Sequence, residues 1–173
     1  FDMKKLVWMN GEYIRRQPRE VFETEFVRRV RAAGLETAGA DLPGILEQMQ
    51  VRTKFYREIP ETCAYFFTED YGFDAKGVDK RLKVEGVSDM LEKVAGVYEA
   101  LPDFTADAAH SALAALAEAG GSGLGALVHP VRVAVSGLTE GPGLFEMLAL
   151  LGRGRVCARL RRVAGRLREG QGL

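Results

Sequence analysis

Ser88–Leu101, SDMLEKVAGVYEAL, decides the fold class. Its apolar residues Met90, Leu91, Val94, Val97, Tyr98 and Leu101 recur at helical intervals, as one face of an α-helix requires. Ser88 reads as the N-cap ahead of them. The same period runs outward in both directions. Upstream, Pro18 sits in the first turn of a helix lined by Val21, Phe22, Phe26, Val27 and Val30, and Gly34 closes it. Leu6, Trp8 and Met9 form a shorter apolar segment that Asn10-Gly11 should end. Asp41 reads as the cap for Ile45, Leu46 and Met49, and Asp74 as the cap for a helix through Leu82.

Downstream, Thr105 should cap the Ala-rich stretch Ala106–Ala119, which Gly120-Gly121-Ser122-Gly123 ends. Leu124–Val135 is helical, with Pro130 expected to start or kink a helix. The tail from Leu144 to Leu167 is helical, with breaks expected near Gly152 and Gly154. Val131, Val133 and Val135 alternate briefly, but no partner strand is evident. The chain therefore reads as all-α, with two small helical units meeting within residues 58–74.

The 173 residues suit one compact domain or two small ones, and 47% apolar against 28% charged is the balance of a globular protein. Cys63 and Cys157 are too few for a disulfide framework and read as small core residues. No apolar run approaches the roughly 18 residues of a membrane span. The chain opens on Phe1 rather than Met, so a fragment of a longer chain is expected. No signal-peptide pattern follows, and the cytoplasm is the expected compartment.

The 24 basic and 24 acidic side chains cancel, but not locally. Residues 1–57 carry 11 basic against 8 acidic, residues 58–128 carry 5 against 13, and residues 129–173 carry 8 against 3. Two basic ends thus flank an acidic middle. Binding to a polyanion needs a local field rather than a global sum, so the zero total does not exclude nucleic acid. Arg dominates the ends: Arg15, Arg16, Arg19, Arg28, Arg29 and Arg31, then Arg52 and Arg57, then Arg153 through Arg168. Its forked donors match phosphate and base edges. A solvated face is the other reading of the same residues. Phe55, Tyr56, Tyr65, Phe66 and Phe67 divide in the same way, between base stacking and core.

Other constellations carry less. Gly120–Gly125, GGSGLG, lacks the Lys-Ser/Thr end and preceding strand of a phosphate loop and reads as a helix–helix turn. His110 falls on the Ala-rich helix, and His129 should help form a turn before Pro130. Two His and two Cys far apart give no metal site. Glu58/Glu61 and Glu69/Asp70 read as solvated helix ends. No catalytic residue is assigned.

Three separated segments carry a family resemblance. Phe1–Arg15, FDMKKLVWMNGEYIR, resembles the K-L-x-W-x-N-G-x-Y-I-R segment of bacterial-type glutamyl-tRNA synthetases. Ala64–Tyr71, AYFFTEDY, resembles their Y-L-F-T-E-D-Y type segment. Pro130–Leu151, PVRVAVSGLTEGPGLFEMLALL, resembles their P-x-R…P-G-L-F-E-x-L signature. The order is right and the three span nearly the whole chain.

The resemblance implies the anticodon-binding region of a class I aminoacyl-tRNA synthetase, two helical subdomains of the α-helix cage type. Residues 1–16 would end the stem-contact region, 17–66 would form the first subdomain and 67–173 the second. The nucleotide-binding H-x-G-H-type and K-x-S-K-type motifs are absent from this sequence. ATP and Mg²⁺ would therefore belong to the parent's catalytic domain, with no cofactor in this portion. The implied partner is tRNA-Glu, and a monomer is expected. Arg52, eight residues before Pro60, would read the last anticodon base, and an Arg there resembles the form that charges only glutamate tRNA. Arg132 of the P-x-R motif would contact the middle base, and Leu144 would pack against a base. Gly141 replaces a hydroxyl residue of some relatives, leaving only backbone donors. The alternative is a stand-alone helical module whose Arg faces bind an acidic protein.

Overall fold

The computed structural model describes residues 2–173, so Phe1 of the first motif lies outside it. The fold is all-α: the described residues form ten α-helices and no strand. The chain divides into two compact units, one running to Asp70 and one from Tyr71 to Leu173.

The first unit holds α1 (Met3–Arg16), α2 (Arg19–Ala32), α3 (Leu42–Gln50) and α4 (Ile59–Cys63), with 3-10 turns at Tyr56–Glu58 and Ala64–Phe66. On α2, Phe22, Phe26 and Val30 stand four residues apart and are all buried. Phe22 and Phe26 meet ring to ring at 5.8 Å. Ile45, Leu46 and Met49 of α3 and Ile59 and Cys63 of α4 complete this core. Pro18 lies just ahead of α2, and its carbonyl accepts from the Val21 and Phe22 amides. Gly34, at φ +76°, ends α2 while the Leu35 amide closes back onto Val30 O. Asp41 caps α3 by accepting from the Gly44 amide at 3.1 Å. Asn10-Gly11 does not end α1, which continues for another turn and a half to Arg16. The reason is a close approach: a Cβ on the buried Gly11 would stand 2.7 Å from Lys54 Cδ.

The second unit begins with α5 (Ala75–Gly77), which winds directly into a π-helical turn, Val78–Leu82. Then follow α6 (Val87–Glu99), α7 (Ala106–Ala119), α8 (Gly125–Ser136), α9 (Leu144–Leu151) and α10 (Arg153–Arg168). The most extensive packing is α6 on α10. Leu91, Val94, Ala95 and Tyr98 are the buried part of the α6 stripe, and α10 buries Val156, Leu160, Val163 and Ala164. Thr105 caps α7 by accepting from the Ala108 amide. Ser88 is not the cap of α6: Gly86, at φ +82°, holds that position, and the Ser88 hydroxyl donates to Ala164 O on α10. Pro130 lies inside α8, and the alternating valines Val131, Val133 and Val135 are all helical. Gly152 breaks the tail at φ +84°, whereas Gly154 is an ordinary residue of α10.

The α6–α10 seam is bordered by ion pairs. Arg161 pairs with Glu99, and Arg168 reaches Asp89 at 3.0 Å and Glu92 at 3.4 Å. Its interior contains a further arginine. Arg159 is fully buried, donates through Nη1 to Val135 O at 2.7 Å, and lays its guanidinium 4.4 Å from the centre of the Tyr71 ring. Replacing it with Leu keeps apolar bulk but strips Val135 O of a charge-assisted donor. Arg159→Leu should lower stability by about 2–4 kcal/mol, read from urea unfolding. Both cysteines are buried and free, and burial pushes the Cys63 thiol up to about 12 and the Cys157 thiol upward as well. Neither thiol should react with a disulfide reagent in mildly alkaline buffer until denaturant is added. A rapid reaction of the folded chain would contradict this packing.

Candidate functional site

In the first unit the residue of interest is Arg52, in the turn after α3. The α3 end is fixed from two sides. The buried Gln50 side chain donates to Ile14 O at 3.3 Å and Gln17 O at 2.9 Å, which ties it to the end of α1. The Asn10 side chain donates to Lys54 O. Thr53, also buried, donates to Met49 O at 2.8 Å. Arg52 is therefore held at both flanks while its own side chain stays exposed. One guanidinium nitrogen, Nη1, is anchored to Gln48 O at 2.8 Å and to Gln48 Oε1 at 3.2 Å. The outer edge of the fork points to solvent with its donors available. Nearby, the Arg57 guanidinium stacks 4.5 Å from the centre of the half-buried Phe55 ring.

In the second unit Arg132, Gly141 and Leu144 belong to one structure, the connection from α8 to α9. Arg132 is half-buried and donates through Nη1 to Pro142 O at 2.8 Å. The Ser136 hydroxyl donates to Arg132 O and accepts from the Leu138 amide at 3.1 Å. The loop is thus pinned at its start by Ser136 and at its end by Arg132. Gly141 is exposed at its tip with φ +148°, a backbone state that side-chain-bearing residues avoid. That conformation accounts for glycine at this position. Leu144 opens α9 and is 4% exposed, so its side chain belongs to the apolar core and presents an edge at most.

The tail arginines behave differently from the surface field that their clustering suggests. Arg159 is buried, Arg161 and Arg168 are paired with α6 carboxylates, and Arg153 donates to Pro102 O at 3.1 Å. Arg162 donates to the Tyr71 hydroxyl at 3.0 Å. In the first unit Arg15 pairs with Glu12 at 2.6 Å and Arg28 with Glu25 at 2.8 Å.

Cations are available instead in the acidic middle of the sequence. A pocket of about 440 Å³ is lined by Lys76, Lys80 and Arg81 of α5 and the π-turn, and by His129 and Val133 of α8. Asp74, Gly77, Thr139 and Glu140 complete its wall. His129 is exposed within α8 rather than in a turn. Desolvation, with Arg81, Arg132 and Lys80 nearby, holds its pKa below the ordinary histidine value. Block arithmetic hides these cations, because residues 58–128 are net acidic. The Lys76/Lys80/Arg81 spacing after the Asp74 cap was the available signal. Among the described residues, no cluster of three His, Cys, Asp or Glu side chains is placed to hold a metal ion. None of their helices is long and apolar enough to cross a membrane.

A model of the family described as the anticodon binding domain matches residues 18–164. The chain belongs to that family. Its sequence relatives are glutamate–tRNA ligases. That of Moorella thermoacetica is 36% identical over 98% of this chain, and that of Thermus thermophilus is 38% identical over 94%. The chain spans about a third of the length of these relatives (36% and 34%). A solved glutamate tRNA ligase from Elizabethkingia meningosepticum superposes with a TM-score of 0.81, covering 96% of this chain and 33% of that one. At 23% identity this likeness shows the fold. The match covers the whole α8–α9 connection, where Gly137 is the tightest point. At φ +76° a Cβ there would run into the Gly72 carbonyl oxygen. Gly137→Ala should therefore cost about 2 kcal/mol or more, since backbone strain and a clash with a main-chain atom add. Thermal unfolding of the variant measures it.

Proposed function

We propose that this chain recognises the anticodon of tRNA-Glu as part of a glutamate–tRNA ligase. The observation that carries this reading is the anticodon-binding family match over residues 18–164. The whole enzyme would join glutamate to tRNA with ATP and Mg²⁺ in a catalytic domain, and this chain would supply recognition without chemistry. Residues 17–66 and 67–173 would act as its two anticodon-binding subdomains, after a stem-contact segment at 1–16. We place it in the cytoplasm as a monomer.

Anticodon bases are unstacked, and proteins read them through hydrogen bonds to their edges and through stacking. Arg52 suits the last anticodon base: it is exposed, yet fixed by Gln48 at one nitrogen, so little freedom is lost on binding. Arg132 suits the middle base, with Pro142 O setting its direction. Gly141 offers backbone groups at the loop tip, and Leu144 the apolar floor beneath it.

Two variants test the assignment. Arg52→Gln should reduce discrimination at the last anticodon base by about 1–3 kcal/mol, the usual range of a well-placed base contact. Arg132→Ala should do the same at the middle base. Both are read from binding of tRNA-Glu anticodon stem–loops carrying single base changes. Discrimination equal to that of the unaltered chain at both positions would overturn the assignment.

A further inference from the structure

The pocket formed by α5, the π-turn and α8 has a composition that base reading does not use. Lys76, Lys80 and Arg81 converge on it, and among the described residues none of the three makes an ion pair. Their acidic neighbours are largely committed elsewhere. Asp74 accepts from the Gly77 amide at 2.7 Å, and Asp79 is paired with Lys83 at 2.8 Å. Glu140 is the remaining carboxylate of the wall. Lys80 and Arg81 are carried by a five-residue π-helical turn, a rare geometry that recurs at functional sites, and Lys76 by α5 just before it. A Cβ on Gly77 would stand 2.7 Å from Thr139 Cγ2, so α5 approaches the α8–α9 loop closely. That loop is the one Arg132 pins at Pro142.

We propose that this pocket holds a backbone phosphate of the RNA strand, with Lys80 and Arg81 as its donors and protonated His129 as a third. The inference rests on the anticodon reading above and adds to it a contact that carries no base information. Arg81 brings a fork suited to two phosphate oxygens, and Lys80 a point charge. His129 faces Lys80, Arg81 and Lys76 across the pocket, Glu140 from the loop, Asp74 from the α5 cap and Arg132 on its own helix. Desolvation, with Arg81, Arg132 and Lys80, disfavours its proton while the pocket is empty. A bound phosphate offsets part of that positive field and favours the proton. Affinity therefore rises as pH falls from neutral through the imidazole range, because the bound state takes up a proton that the free state lacks.

The test is fluorescence anisotropy of the chain with a tRNA-Glu anticodon stem–loop and with one of altered anticodon, over a range of salt. Lys80→Gln with Arg81→Gln should weaken both RNAs several-fold. The slope of log affinity against log salt should fall by about 0.7, the loss of one single-strand phosphate contact. The ratio between the two RNAs should stay as it was. His129→Gln should abolish the tightening at lower pH, and a variant that still tightens as pH falls would overturn the role given to His129. Affinity and salt slope unchanged in the double variant, while Arg132→Ala still loses discrimination, would overturn the phosphate site and leave the anticodon reading standing. Failure of the unaltered chain to bind either RNA would overturn both. Inorganic phosphate at matched ionic strength separates free phosphate from RNA. If it shifts the His129 resonances while the double variant keeps full RNA affinity, the pocket takes only the free ion and the proposal falls. Circular dichroism checks that the variants remain folded, as expected for residues at the surface.

Discussion

A guanidinium with no exposed surface sits at the centre of the second unit. Burying a charge is tolerated only where its donors are met and its field is answered. Arg159 meets this condition with Val135 O and the face of the Tyr71 ring. Tyr71 in turn donates to Ala134 O at 2.9 Å and accepts from Arg162. These bonds tie α10 to the last turn of α8 and both to the first residue of the unit. The next contacts follow from that anchor. Gly72 lies against Gly137, and the Asp74 amide donates to Gly137 O at 2.8 Å. Asp74 then starts α5, and the π-turn brings Lys80 and Arg81 opposite His129. The cation pocket is thus a geometric consequence of one buried arginine and one glycine.

The charge pattern acquires a second meaning in this light. A basic tail and an acidic middle would, if independent, repel and attract partners separately. In the folded chain they attract each other, because α6 and α10 pack together with their charges at the rim. Arg161 with Glu99 and Arg168 with Asp89 and Glu92 cancel part of what the sequence blocks display. Each exposed pair stabilises little alone. Their larger effect is on the field: charge paired in place no longer adds to a diffuse attraction for polyanions. Lys80 and Arg81, which make no ion pair among the described residues, stand beside the α8–α9 loop and add positive charge there.

Much of this was legible in the sequence, for physical reasons that can be named. Phe22, Phe26 and Val30 announce α2 because a helix repeats every 3.6 residues. Asp41, Asp74 and Thr105 announce starts because short polar side chains satisfy first-turn amides. The three motifs announced the family, since their order constrains the whole chain. Three misreadings share one cause, long-range contact. Asn10-Gly11 has the chemistry of a turn, but Lys54, forty-odd residues away, claims both residues. Ser88 has the chemistry of a cap, but Ala164 O takes its hydroxyl. Arg159 is indistinguishable by type from Arg161 two positions on, yet one lies inside the fold and the other at its rim. Helical phase separates them, and phase is settled by the partner helix.

Arg52 and Arg132 show how a flexible side chain is held in place by its neighbours. A free arginine loses much rotamer freedom when it binds, and that loss offsets the hydrogen bonds gained. Both side chains have made part of this sacrifice already, through Gln48 in one case and Pro142 in the other. The support extends one layer deeper. Gln50 and Asn10 fix the turn that bears Arg52, and Ser136 fixes the start of the loop that Arg132 closes. Discrimination among bases needs donors placed to within a fraction of an ångström, and such placement comes from neighbours rather than from the arginine itself. Lys80 and Arg81 carry no such anchoring bonds among the described residues. A phosphate tolerates that freedom, because it presents the same oxygens whatever base is attached. The proposed base readers are anchored and the proposed phosphate holders are not, which is one physical rule applied at two sites.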